Sequence, residues 1–148
     1  MNTSLRLTNI LFLALLAVVP LQLHAQKADA QKADAQKIAR GKYLVEEVAK
    51  CQKCHTPADD HGQPDRARWL QGGPVPIQPA RPTADWAYEA PKIAGLPGWN
   101  DADAIRFLQT GITASGYRAR PPMNEYKLPR ADAEAIVAYL RSLRSEPW

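Results

Sequence analysis

The apolar positions change rhythm several times along the chain. Ile10 to Val19 is an unbroken run of ten apolar residues, preceded by a short segment with one cation, Arg6. Pro20 ends the run, and Ala25 offers a small residue for cleavage. A bilayer span needs about 20 apolar residues, so residues 1–25 predict a secretory signal peptide. The alternative is an uncleaved anchor that leaves the rest facing the periplasm. Residues 26–37 follow as a low-complexity spacer in which Gln-Lys-Ala-Asp-Ala occurs twice in succession. A five-residue period matches neither the helical 3.6 nor the strand 2.0, so the stretch has no apolar face to bury and reads as a solvated spacer or a frayed helical extension.

Helical spacing begins at Ile38. Ile38, Gly41, Leu44, Val45 and Val48 share one face, and charged residues fall mostly elsewhere. A glycine inside this face costs about 1 kcal/mol of helix propensity, which suggests that a second helix passes close by. A second helix is predicted after Asn100, an N-cap with Asp103 three residues on; Ile105 and Leu108 lie on one face and Gly111 is the stop. A third runs from Arg130 to Leu143, with Ile136, Val137, Leu140 and Leu143 as its apolar face, Asp132 and Glu134 in the first turn and Arg141 near the end. Residues 57–97 hold eight prolines and four glycines, too many for a long helix or strand. The expected class is all-α, with three to five helices and long loops. So long a loop is compatible with a compact domain only if something other than secondary structure fills the core.

Composition narrows the function. At 45% hydrophobic and 23% charged residues the chain is not disordered throughout. A formal net charge of +4 is too small and dispersed to argue for nucleic acid. The only two cysteines fall in one motif, Cys51-Gln52-Lys53-Cys54-His55. In C-x-x-C-H, two thiols reach the two vinyl groups of one haem and form thioethers, and the adjacent histidine supplies a nitrogen to the iron. Three other readings stand beside it. A redox dithiol would open a helix in a βαβ setting, whereas this motif closes a helix. A zinc site would need Cys51, Cys54, His55 and His61, all crowded into eleven residues. A plain disulfide leaves His55 without a role.

A second axial ligand is reached by elimination. Beyond the initiator, the only methionine is Met123, in Arg120-Pro121-Pro122-Met123, where two prolines stiffen the approach. The alternative for Met123 is a gap-filling core residue. His61 is the rival ligand, but it lies only six residues after His55, on the same loop.

Gly41-Lys42-Tyr43-Leu44, the C-x-x-C-H motif, Arg120-Pro121-Pro122-Met123 and Ala135-Ile136-Val137-Ala138-Tyr139-Leu140, in that order, resemble a class I monohaem cytochrome c. The resemblance implies a small cytochrome c fold over residues 38–144, wrapped around one covalent haem c. Cys51 and Cys54 would attach the haem, and His55 and Met123 would be the axial ligands. It implies that Gly41 meets Tyr139 where the first and last helices cross. It also implies that a loop proline carbonyl supports the His55 ring; Pro74 is the candidate. Pro129 departs from the family, where a Ser or Thr often caps the last helix. The implied activity is one-electron transfer in the periplasm, not catalysis. The partners would be redox proteins: a dehydrogenase, an oxidase or another cytochrome. A haem peroxidase or a redox or gas sensor, with a displaceable sixth ligand, is the alternative.

Overall fold

The computed structural model describes residues 26–143, so the signal-like segment 1–25 lies outside the described residues. The chain divides into two compact units, Met1–Gln36 and Lys37–Trp148. In the first, residues 26–36 are helical and exposed throughout.

The second unit opens with α1, made of helical residues 37–43 and a π-helical turn, Leu44–Val48. Leu44 and Val45 are buried, and Ile38 packs against the core. The short α2, Gln52–His55, follows directly, with Cys51 at its N-cap. The Pro-rich segment then runs almost without regular structure. It contains one 3₁₀ turn, Arg66–Arg68, capped by the Asp65 carboxylate, and two antiparallel two-residue strands, β1 (Gly73–Pro74) and β2 (Glu89–Ala90). The segment is held by specific bonds: the Leu70 N–H donates to Thr56 Oγ1 at 2.9 Å, and Leu70 itself is fully buried.

Helix α3 spans Asp101–Thr110. Asn100 caps it, accepting from the Asp103 N–H at 2.8 Å and donating to the Asp103 carboxylate at 2.7 Å. Gly111 ends it at φ 71°, the left-handed conformation that favours glycine. Helix α4 spans Arg130–Ser142 and packs on both α3 and α1. Pro129 occupies its N-cap position without a side-chain bond; its carbonyl accepts from the Asp132 and Ala133 N–H groups at 3.1 Å each.

The glycine in α1 sits directly on α4. A Cβ at Gly41 would fall 1.9 Å from the Ala135 carbonyl oxygen and 2.8 Å from Tyr139 Cβ. Tyr139 is buried at the same crossing. Its hydroxyl donates to Glu46 of α1 at 2.5 Å and accepts from Trp69 Nε1 at 3.3 Å, joining both helices to the loop. The core is built of small and medium side chains, with Ala94, Ala104 and Ala135 beside Leu44, Leu96, Ile136 and Leu140. Val48 departs from its expected place. It lies on the apolar face of α1 yet is 57% exposed, because it borders a cavity rather than the core.

Candidate functional site

That cavity has a volume of about 610 Å³, within the roughly 300–1,000 Å³ usual for ligand sites. Cys51, Cys54, His55 and Met123 all line it. The first three arrive together because α2 is a single helical turn, in which the His55 N–H donates to the Cys51 carbonyl at 2.9 Å. Met123 comes from the loop before α4, where its N–H donates to the Arg120 carbonyl at 3.0 Å. Val48, Val75, Phe107 and Pro122 add apolar wall.

The His55 ring is fixed by the backbone. Nδ1 lies 2.7 Å from the Pro91 carbonyl oxygen. A carbonyl only accepts, so Nδ1 carries the proton and Nε2 keeps its lone pair. This corrects the expectation for Pro74, which lies in β1 opposite Glu89. The ladder pairs Gly73 with Ala90, so the residue after β2, Pro91, comes level with Gly72. Gly72 in turn donates its N–H to the His55 carbonyl at 2.8 Å. Glycine is required there: at φ 84°, a Cβ would meet the Ala90 oxygen and the Lys92 nitrogen at 2.7 Å each.

Burial governs the titrating groups. It lowers the His55 pKa, against the opposing pull of the Pro91 bond, and so favours the neutral, ligating imidazole. Burial also pushes the Cys51 thiol up to about 11, with the Cys54 sulfur adding to the rise. A redox dithiol needs the reverse, a thiolate stabilised near neutrality. No disulfide joins Cys51 to Cys54. His61 is exposed, in a turn where Asp59 accepts its N–H, and it does not line the cavity. The four residues of the zinc reading are therefore not brought together.

A second cavity, about 690 Å³, is lined by Gln52, Thr56 and Trp69 among others. It contains none of the sulfur or imidazole groups, so the cavity lined by Cys51, Cys54, His55 and Met123 is the site. Sequence reasoning missed Pro91, Tyr126 and Phe107 in or beside it. Pro91 is one of eight prolines in its segment, and nothing local distinguishes its carbonyl from theirs.

Residues 38–144 match the family model for cytochrome c. The chain belongs to the cytochrome c family. It is similar to the fructose dehydrogenase cytochrome subunit of Gluconobacter japonicus, 37% identical over 115 residues that cover 70% of this chain and 21% of that protein. It is similar to a dihaem c-type cytochrome of Cereibacter sphaeroides, 38% identical over 108 residues, 69% of this chain and 34% of that one. It also resembles the cytochrome c subunit of a quinone-type alcohol dehydrogenase of Gluconobacter oxydans, 33% identical over 79 residues, 50% of this chain and 16% of that protein. The chain spans about a third or less of these relatives.

Membership makes this a haem protein of electron transfer and implies covalently attached haem c. The cavity of this cytochrome suits that group. Two thiols, one imidazole with a fixed free nitrogen and one thioether line a single space whose wall is mainly apolar, with Lys53, Glu89, Arg118 and Arg120 also on it. Val48, apolar and left facing that space, gains cover from a large flat apolar ring.

Proposed function

We propose that this cytochrome is a periplasmic one-electron carrier holding a single haem, which exchanges electrons with a dehydrogenase. Cys51 and Cys54 would attach the haem, and His55 and Met123 would supply a nitrogen and a sulfur to its iron. The observation that carries the reading is the convergence of these four side chains on one cavity, with His55 Nδ1 tied to Pro91 so that Nε2 is left to coordinate.

The bound haem supplies an iron that cycles between ferrous and ferric states. The chain supplies the rest. Two covalent tethers hold the ring. The Pro91 carbonyl orients the imidazole and raises its basicity. The Met123 thioether, a soft donor, favours the ferrous state and raises the potential. Val48, Val75, Phe107 and Pro122 would pack against the ring.

The dehydrogenase partner is suggested by the relatives, two of which are cytochrome subunits of fructose and alcohol dehydrogenases. The periplasmic address rests on the signal-like residues 1–25.

Intact mass and a visible spectrum of the periplasmic protein test the reading. The mass of one haem should remain after acid–acetone extraction, because thioethers survive it. The ferric protein should show the methionine–iron charge-transfer band. Extractable haem refutes the attachment. A ferric protein without the band that binds CO readily when reduced supports a peroxidase or sensor instead.

A further inference from the structure

One stretch of chain, residues 84–91, touches both sides of the cavity. At its C-terminal end the Pro91 carbonyl holds His55. At its N-terminal end it is bound to the methionine loop. The Arg120 guanidinium donates to three successive carbonyls of the stretch: Ala84 at 2.8 Å, Asp85 at 3.3 Å and Trp86 at 2.9 Å. The Ala87 N–H donates to the Pro121 carbonyl at 2.7 Å, and both Ala87 and Arg120 line the cavity. The loop bond from the Met123 N–H to the Arg120 carbonyl closes the unit, so the methionine is one turn from the guanidinium.

We propose that Arg120 is a positioning residue for Met123: its guanidinium pins the methionine loop to the stretch that also orients His55. This rests on the reading of Met123 as an axial ligand. A rigid planar fork with several donors can hold three carbonyls at once; a lysine ammonium, a point charge on a flexible stem, cannot hold the same fan. An outside ligand reaches the iron only in the fraction of molecules whose methionine has left it. Loosening the loop raises that fraction, and the apparent affinity for the outside ligand rises by the same factor.

The test titrates ferric holoprotein with imidazole, at an alkaline pH where imidazole is neutral, so that lost charge does not bias binding. Arg120→Gln should bind imidazole about tenfold more tightly. That is the effect of about one net charge-assisted hydrogen bond rather than three, because the guanidinium is exposed and water replaces part of what is lost. Haem attachment should be unchanged. Arg120→Lys, which keeps the charge, should show most of the same increase, and it carries the test if Arg120→Gln does not accumulate. Lys127→Gln, which removes a charge from the same loop, should bind as the wild type does. Equal affinity in wild type and Arg120→Gln, both with the methionine–iron band, overturns the positioning role alone. Arg120→Lys matching the wild type, or Lys127→Gln matching Arg120→Gln, also overturns it, because charge would then suffice. A wild-type protein without the band overturns the axial reading, and this proposal with it.

Discussion

Replacing Gly41 with alanine tests the helix crossing, because the two possible outcomes differ in sign. On an exposed helix surface, glycine to alanine adds about 1 kcal/mol of stability through propensity. Here the new Cβ would lie 1.9 Å from the Ala135 carbonyl oxygen, 2.5 Å from the Ala135 carbonyl carbon and 2.8 Å from Tyr139 Cβ. These are backbone and near-backbone atoms in the middle of α4, which cannot rotate away. The helices must therefore separate by an ångström or more. Separation loosens the packing of Leu44 and Val45 against α4 and stretches the bond from the Tyr139 hydroxyl to Glu46. Overpacking typically costs about 1–3 kcal/mol, occasionally more, and a clash with rigid backbone belongs at or above the top of that range. After subtracting the propensity gain, the net loss is about 2–3 kcal/mol. For a domain near 100 residues this lowers the melting midpoint by roughly 10–20 °C. The assay is thermal or urea unfolding of purified holoprotein, followed by far-ultraviolet circular dichroism and haem absorbance. Haem attachment should survive, since Gly41 does not line the cavity. A midpoint that is unchanged, or raised as propensity alone would have it, refutes the close crossing.

Met123→Ala should keep the haem, lose the methionine–iron band, lower the reduction potential and gain CO binding in the ferrous state; a potentiometric titration with unchanged spectrum and midpoint would make Met123 a packing residue only. Tyr139 carries a pH prediction, because burial and the Glu46 bond push its phenol up to about 12. A phenol raised above its ordinary value of about 10 contributes stability below that pH and loses it as pH climbs toward 12. Urea midpoints compared across this alkaline window should fall for the wild type more steeply than for Tyr139→Phe; parallel declines would show that the hydroxyl is not held as described.

The helices and the attachment motif are legible in the sequence because both are local. The faces of α1, α3 and α4 follow from 3.6-residue spacing, and the Asn100 cap and Gly111 stop act within one turn. Cys51, Cys54 and His55 fall together for the same reason. Met123, the one methionine left in the domain, is singled out by elimination, and it does line the cavity. The crossing partner of Gly41 is legible too, though only the family resemblance points to Tyr139.

What the tertiary structure alone decided concerns long-range partners of the backbone. Every residue carries the same carbonyl, so no side-chain pattern marks Pro91 rather than Pro74 as the acceptor for His55, or marks the carbonyls of residues 84–86 for Arg120. The choice of Pro91 depends on how β1 and β2 align and on Gly72 allowing the chain to pass closely. Val48 shows the same limit from the other side. Helical periodicity places it on the apolar face, but whether that face meets a helix or a cavity depends on elements far away in the chain. Periodicity reports which side of an element is apolar; the packing of distant segments determines what that side meets.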